Sequence, residues 1–404
     1  MKKIFWMTVI LIVLSFLLFS IKKDYNLVLI SVDSLRPDSI NTNAPNIAKL
    51  KDSATTFEKA YTIYPNSVGS YYTLFTGNSY LVNNELSTLK FIESFNATKD
   101  KDYVNLASQL KKTGFTTTAF LANPKLNSNI VKYGFDEFTG QLDNAAVSQN
   151  AVNKIKASFG KRFFVWADFK VPDAVKIDET KQFLCSPVTN IVETSNKITT
   201  VYSQNVKQVD AEVGKVLAAL KSVGADRNTI VVIYSDKGEN FDQRFYGLGK
   251  TLSESDVRTV LIVKEPQQTT SNVVLAAIDN SKVSGLIMSL LEKNQLKSKV
   301  SEFTNKGLTF FRISYGKNLK VAATDSKYKY IYNLTTDACL PEKDASEFYD
   351  LIRDPKEKSN LIGDPTKQEK ANEMKVSLSG QTMVPIKNLG EKIDVIDRLK
   401  SLGY

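Results

Sequence analysis

Three aspartates lie at or near the ends of apolar, β-branched runs that have the pattern of buried strands. They are Asp33, Asp168 and Asp236. Continuous apolar runs of this kind are typical of parallel sheets that are covered on both faces. In such sheets the ligand site lies beyond the C-terminal ends of the strands. The sequence therefore predicts that the three carboxylates gather at one edge of a sheet.

Histidine and paired cysteines, which often carry proton transfer or metal binding, are missing. The 404 residues contain no histidine, the usual side chain for both tasks near neutral pH. The two cysteines, Cys185 and Cys339, form no C-x-x-C pair, which excludes a zinc knuckle or a thioredoxin-type site. They could form one disulfide in an oxidising compartment, but nothing in the sequence brings them together.

Strand patterns alternate with amphipathic helical stretches along most of the chain. The predicted strands are Asn26–Asp33, Thr116–Ala122, Arg162–Phe169, Asn228–Asp236 and Val257–Val263. The clearest helical stretches are Tyr103–Gly114 and Tyr202–Gly224. This alternation predicts an α/β fold with a large, mostly parallel sheet that is flanked by helices on both faces.

The pattern changes near residue 295. A lysine-rich stretch, Lys293–Gly307, is followed by short alternating strands in Thr309–Asn333. This change predicts a smaller C-terminal α+β domain. The expected organisation is an N-terminal segment at 1–24, a large domain at 25–295 and a small domain at 296–404.

The N-terminus has the pattern of a membrane anchor. The run Ile4–Ile21 is uncharged and is flanked by lysines on both sides. As a helix its 18 residues would rise about 27 Å, close to the thickness of the hydrocarbon core. Its exit, Leu18-Phe19-Ser20, is a poor cleavage site. We expect an uncleaved transmembrane signal anchor, with the body on the extracytoplasmic side, either periplasmic or extracellular.

The chain is basic, with a formal net charge of +10. The lysines are spread along the sequence, which favours a solvated surface over a nucleic-acid groove, and we expect no nucleic-acid partner. An exported protein of this charge would be attracted to anionic lipid or acidic glycan.

Eight segments, in order and spacing, resemble the sulfatase branch of the alkaline phosphatase superfamily. They are NLVLISVDSLRPD, APNIAKLKDSATTFEKAYT, SYYTLFTG, GFTTTAF, YGFDEF, VVIYSDKGE, GKTLSESDVRTVLIV and EFYDLIRDPKEKSNLI. The last three residues of DRLKSLGY also resemble the usual ending of one subfamily, so the resemblance covers residues 26–404. It implies an alkaline phosphatase-like fold. It also implies hydrolysis of sulfate or phosphate esters by a nucleophile at a helix N-terminus. In that family the nucleophile is a formylglycine or a plain Ser or Thr, and a divalent cation, usually calcium, offsets the oxyanion charge.

The resemblance assigns roles to several residues, with departures. Asp33 corresponds to a metal-binding acid, but Ser34 replaces the second acid of the usual pair. Ser67 takes the nucleophile position. The proline and arginine that should follow it are absent, and Tyr71 stands in the arginine's place. We therefore expect Ser67 to remain serine.

Further departures lie downstream. Asp236 corresponds to another metal-binding acid, but its partner is Lys237 instead of histidine or asparagine. Lys250 falls near the family's active-site lysine. Asp168 and Asp173 stand where the family has histidines. Together these changes imply that calcium binding is weakened or lost.

Most of these residues also have an ordinary structural explanation. Asp33 could cap the following loop, Ser67 could be a helix N-cap, and Lys250 could be a solvated surface lysine. Asp168 and Asp173 could be exposed acids in an altered loop or members of a rebuilt ligand set.

Lys237 leads to the sharpest hypothesis. An ammonium has no lone pair and cannot coordinate a metal, but it can lie between Asp33 and Asp236 and neutralise them. Alternatively, the side chain of Lys237 could point to solvent.

Two functions follow from the resemblance. The first is a membrane-anchored, exported sulfatase-family protein with a degenerate site, a pseudoenzyme that binds a glycan or a partner without turnover. The alternative is an active hydrolase of sulfate or phosphate esters that uses Ser67 and a divalent metal. Under either function, the ligand of the protein would be an anionic glycan or a sulfated or phosphorylated small molecule.

Overall fold

A computed structural model describes nine stretches of the chain. They are residues 25–78, 104–127, 129–158, 160–172, 191–241, 251–292, 295–315, 318–333 and 346–382.

Strands and helices alternate through the first 300 residues, as the pattern predicts. The strands are β1 (Asn26–Asp33), β2 (Thr55–Phe57), β3 (Ala60–Tyr61), β4 (Thr116–Leu121), β5 (Glu137–Thr139), β6 (Phe163–Lys170), β7 (Thr229–Tyr234), β8 (Arg258–Thr259), β9 (Leu261–Lys264), β10 (Asn272–Val274), β11 (Ile278–Asp279), β12 (Thr309–Tyr315), β13 (Asn318–Thr324), β14 (Tyr328–Asn333) and β15 (Ser346–Asp350). The helices are α1 (Ile40–Asn43), α2 (Pro45–Lys51), α3 (Ser67–Thr76), α4 (Leu106–Lys112), α5 (Asn129–Lys132), α6 (Asn144–Ala157), α7 (Ile191–Ser222), α8 (Glu254–Val257), α9 (Val283–Leu291), α10 (Leu296–Phe303) and α11 (Gln368–Thr382).

The main sheet has eight strands in the order β10-β2-β9-β7-β1-β6-β4-β5. It is parallel except for β9, which runs antiparallel to both β2 and β7. The predicted strand Val257–Val263 differs from the structure because its first part belongs to α8 and to β8, which pairs with β3 in a separate three-stranded sheet. A continuous apolar run has the same pattern in a parallel and in an antiparallel strand. Periodicity alone therefore does not show that β9 runs antiparallel to its neighbours.

Apolar side chains cover both faces of the main sheet. On one face, inward residues of β1, β6 and β7 pack against α3, α4 and α9. On the other face, alternate residues of the same strands pack against α2, α6 and α7. Both layers bury the central strands, so polar groups at their C-terminal ends are enclosed by neighbouring elements.

The small sheet is antiparallel, in the order β12-β13-β14-β15, and confirms the smaller C-terminal unit in the fold. One of its faces packs on α11 through residues such as Tyr330, Phe348 and Met374. The other packs against the large domain through residues such as Phe311 and Ile331. The exact division at residue 295 stays a prediction.

Some expectations concern residues outside the described stretches. These are the anchor at 1–24 and the two cysteines, Cys185 and Cys339. Among the residues that the structure describes, no helix has the length and apolar character needed to cross a membrane.

Candidate functional site

The site lies where three strands of the main sheet end. Asp33 is the last residue of β1, and Asp236 follows the adjacent parallel strand β7 by two residues. The ammonium of Lys237 forms ion pairs with both: it is 3.0 Å from Asp236 Oδ2 and also contacts Asp33 Oδ1. Lys237 is only 4% exposed, so its side chain does not point to solvent. The predicted ion pairs are therefore present.

Ser67 lies at the start of helix α3 and points into this cluster. Its Oγ accepts hydrogen bonds from Lys237 Nζ at 3.3 Å and from Asn123 Nδ2 at 3.1 Å. The alternative, in which Ser67 is the N-cap of the helix, is wrong. The N-cap is Asn66, whose side-chain oxygen accepts from the backbone N–H of Gly69 at 2.8 Å. Ser67 is thus the first residue of the helix. At this position the free backbone N–H groups of a helix are available to bind an anion.

We predict that Asn66→Ala loosens this helix start. The loss of the cap should cost about 1 kcal/mol of unfolding free energy, because the N–H of Gly69 is then left without its acceptor. Urea unfolding measures the change. Asn66→Asp keeps an acceptor and adds a charge that is favourable at a helix N-terminus, so it should be nearly neutral. A loss in Asn66→Asp as large as that in Asn66→Ala would contradict the capping explanation.

Asn123 is a site residue that the sequence analysis missed. It follows β4 by two residues, and its amide group also donates to Asp33 Oδ2 at 2.8 Å. Asn123 therefore joins Asp33 to Ser67. The signal that could have found it is its position just after a predicted strand, at the same edge as the three aspartates.

Ser34, which replaces the second acid of the family pair, supports the cluster through its backbone. It has a φ of 65°, in the left-handed region that non-glycine residues seldom adopt. In this conformation its N–H donates to Asp236 Oδ1 at 3.1 Å, while its hydroxyl donates to Asp33 Oδ1 at 2.8 Å. The turn after β1 thus holds both acids.

Asp168 belongs to a second buried network. It is 0% exposed, so the alternative of an exposed acid in an altered loop is wrong. Ser31 and Tyr71 donate to its Oδ1 at 2.6 and 2.9 Å, and the backbone N–H of Asn123 donates to its Oδ2 at 3.2 Å. Trp166 Nε1 donates in turn to Ser31 Oγ at 2.8 Å. Tyr71, which stands in the place of the family's arginine, thus donates its hydroxyl hydrogen to the buried carboxyl group of Asp168.

We predict that Ser31→Ala destabilises the chain by about 1–3 kcal/mol, because it leaves the buried indole N–H of Trp166 without an acceptor. Chemical denaturation gives the value. Ser298→Ala, on the exposed side of α10, removes only a local hydrogen bond to a backbone carbonyl and should change stability little. Equal effects of the two substitutions would show that the hydrogen-bond network around Asp168 adds nothing to the free energy of unfolding.

Burial and neighbouring charges set the electrostatics. Burial raises the pKa of Asp236 to about 6, with repulsion from Asp33 adding to it and Lys237 opposing it. Burial would also raise the pKa of Asp33, but the charge of Lys237 and its hydrogen bond outweigh burial and hold the pKa of Asp33 below its usual value. Burial raises the pKa of Asp168 to about 8, although the hydrogen bond from Ser31 opposes this. Burial alone would lower the pKa of Lys237, but the two carboxylates raise it, so the amine stays charged.

The residues present fit a divalent cation poorly. Within the described stretches, no group of three or more His, Cys, Asp or Glu side chains converges as a metal site would require. Asp33 and Asp236 meet at this point, and the ammonium of Lys237 binds both. Calcium needs six to eight oxygen ligands, and an ammonium offers none.

Two predicted site residues, Lys250 and Asp173, lie outside the described residues. Their predicted roles therefore stay predictions.

The chain belongs to the sulfatase family, because the family model named Sulfatase matches residues 25–292. A curated sulfatase of Formosa agariphila is 30% identical over 169 residues, which cover 40% of this chain and 32% of that protein. The chain thus matches about a third of that relative's length.

Solved structures of low identity share the fold. The candidate sulfatase yidJ of Bacteroides fragilis has a TM-score of 0.71 at 16% identity and covers 89% of this chain and 95% of its own. BT4656, solved with its substrate D-glucosamine-2-N,6-O-disulfate, has a TM-score of 0.69 at 14% identity and covers 89% and 98%. The sulfatase fold is therefore present along most of the chain.

Proposed function

We propose that this protein is a non-hydrolysing member of the sulfatase family, in which the Lys237 ammonium takes the place of the catalytic cation. The ion pairs of Lys237 with Asp33 and Asp236 carry the proposal. A single ammonium bridges the two acids, so neither carboxylate is left to hold a divalent ion. An ammonium also has no vacant coordination position through which to bind a sulfate oxygen as a metal does.

The surroundings of Ser67 support the same conclusion. A serine hydroxyl needs an adjacent base or a metal to become a strong nucleophile. Ser67 is 4% exposed, and its hydroxyl receives hydrogen bonds from Asn123 and from the charged Lys237, neither of which can act as its base. Asp236 also hydrogen-bonds with Ser67, but its carboxylate is held in the ion pair with Lys237, which lowers its strength as a base. Asp168, where the family has a histidine, is enclosed by Ser31 and Tyr71.

One observation favours a hydrolase of sulfate or phosphate esters that uses Ser67 but not the divalent metal of the alternative given above. The Ser67 oxygen lies at a helix N-terminus, 3.3 Å from a fixed positive charge. Such a charge could stabilise an oxyanion without a metal.

An ester assay separates the two functions. The purified full-length chain and its Ser67→Ala variant are given 4-nitrophenyl sulfate and 4-nitrophenyl phosphate, with calcium or with EDTA. We expect no nitrophenol release that depends on Ser67. Release that Ser67→Ala abolishes and EDTA leaves unchanged would establish a hydrolase that works without a metal, whereas release that requires calcium would establish the metal-dependent alternative and overturn the role of Lys237 as well.

The ligand in this proposal is an anionic glycan. BT4656, with the same fold, binds a sulfated glucosamine, and the present chain carries a net charge of +10. Calorimetry with a heparin oligosaccharide should give saturable binding that weakens as salt rises. Polyglutamate of similar charge is the control: if it binds equally well, the attraction is only electrostatic and the glycan assignment fails.

The uncharged run Ile4–Ile21 supports the last part of the proposal, an uncleaved anchor that holds the body on the extracytoplasmic side. Mass spectrometry of the membrane fraction should find the N-terminal segment on the mature chain. A mature N-terminus near Lys22, with the body released by mild washing, would refute it.

A further inference from the structure

Strand β10 forms one edge of the main sheet. It pairs on one side with β2, and no described strand pairs with its other side. In this parallel pairing, Asn272 donates its N–H to the backbone oxygen of Ala54, and the backbone oxygen of Val274 accepts from the N–H of Glu58. The residue between them, Val273, therefore directs its own N–H and C=O away from the sheet, because the hydrogen bonds of a strand alternate in direction. These two groups can pair with a further strand.

The side chains at this edge are apolar and exposed. Val273 is 57% exposed, and Leu275, which directly follows the strand, is 66% exposed. They are two residues apart and so point to the same face. The opposite face is covered, because Val274 packs against the core layer that contains residues of α9. Two large apolar side chains thus lie uncovered beside an open strand edge.

Most of the usual protections of a sheet edge are missing here. Proteins guard free edges with charged side chains, proline, bulges or very short strands. The run QQTTSNVVLAA, from Gln267 to Ala277, contains neither a charged residue nor proline, although 24% of the residues in the chain are charged. Of these devices β10 has shortness, with three residues. An edge with so little protection is suited to pairing with another strand.

We propose that β10 pairs antiparallel with β10 of a second copy of this chain. A two-fold axis at Val273 makes the edge complementary to itself, since its outward N–H and C=O then meet the C=O and N–H of the same residue in the other copy. In this register Leu275 lies diagonally opposite Val273 of the other copy. Each copy therefore covers the apolar side chains that the other leaves exposed.

The charge pattern favours a second copy over a strand of another protein. Each chain carries a net charge of +10, so two copies repel each other over most of their surfaces. In the proposed register the run Thr269–Ala277 pairs with itself, and it contains no charged residue. Two basic chains can thus meet at this edge without like charges on the paired strands. An acidic segment, which a basic chain would otherwise attract, finds no positive side chain on this run.

Chemical cross-linking at the proposed axis tests the pairing. Residues that exchange both hydrogen bonds have Cα atoms about 5.5 Å apart, which a short bismaleimide spans easily. The full-length Val273→Cys chain in mild detergent should give a cross-linked dimer, whereas Val376→Cys, at a similarly exposed position on α11, should give no more than the natural chain. The natural chain sets the baseline because it contains Cys185 and Cys339. Equal yields in the two variants, or no dimer with Val273→Cys, would overturn the proposal.

Sedimentation velocity in the same detergent measures the affinity. The natural chain should form a dimer at micromolar concentration that dissociates on dilution, as a short paired edge implies. Val273→Pro removes the outward N–H but no bond to β2, so it should fold normally and weaken the dimer at least about tenfold. Val376→Lys should leave the dimer unchanged, and circular dichroism confirms the fold of both variants.

A natural chain that stays monomeric at all concentrations, or a dimer that Val273→Pro leaves intact, would refute the pairing. A monomeric chain whose Val273→Cys variant links to a different membrane protein would assign the edge to another partner and would also refute it. None of these outcomes depends on Ser67 or on glycan binding.

Discussion

Lys237→Asn is expected to make the thermal stability of this chain depend on calcium, whereas the natural chain should show no such dependence. Removing the ammonium leaves the carboxylates of Asp33 and Asp236 buried without a counter-charge. In EDTA this should cost about 3–5 kcal/mol, as breaking a buried ion pair does. The amide oxygen of asparagine, together with the two acids and water, then offers the oxygen ligands that calcium requires.

Calcium should restore much of that stability. At a concentration 100 times the dissociation constant, binding to the folded state alone contributes about 2.7 kcal/mol, which raises the melting temperature by several degrees. Differential scanning calorimetry in EDTA and in calcium measures this for both chains.

Lys237→Met is the matched control. It removes the same charge but supplies no oxygen ligand, so it should lose as much stability in EDTA and recover less with calcium. If the natural chain already gains several degrees from calcium, Lys237 does not take the place of the cation and the hydrolase becomes the better assignment.

The placement of Lys237 followed from its position together with the family resemblance. A residue directly after a buried strand must lie at the C-terminal edge of the sheet, and so must Asp33 and Asp236, which end or follow neighbouring strands. A long side chain with one positive charge then has two buried carboxylates within reach. The strand ends and the charges can be read from one sequence. That Asp33 and Asp236 share one site was implied by the family resemblance, and the pairing of their strands is seen in the structure.

The environment of Asp168 could not be predicted in the same way. Its partners Ser31 and Tyr71 come from a neighbouring strand and from α3, and are separated from it by 137 and 97 positions. Strand register decides that Ser31 lies beside Asp168, and an apolar run does not specify the register of its partner. The same reason explains why Asn123 was missed, since its role appears only when β4 is placed beside β6.

Gly238→Ala is expected to be one of the most damaging substitutions of a single small residue in the chain. Gly238 follows Lys237 directly, and its N–H donates to the backbone oxygen of Asp256 at 3.0 Å. A Cβ at this position would lie 1.9 Å from the backbone oxygen of Ser255 and 3.3 Å from that of Arg258. Both atoms belong to backbone around α8, so no side chain can rotate away to make room.

The backbone itself must therefore move, either at α8 or at Lys237. We expect a loss on the order of 4 kcal/mol, at the upper end for a single substitution, because overpacking is relieved only by shifting these packed segments. Any shift at Lys237 would also displace its ammonium from Asp33 and Asp236, which couples the packing at Gly238 to the charge balance of the site.

Urea unfolding of Gly238→Ala beside Gly307→Ala provides the test. A Cβ on Gly307 meets no atom within 4 Å, so that substitution should be neutral or slightly stabilising through the lower entropy of the unfolded chain. A loss of unfolding free energy below about 1 kcal/mol in Gly238→Ala would show that the backbone around α8 can shift at little cost. In that case the close approach of the two backbones is not what holds Lys237 in place between the two acids.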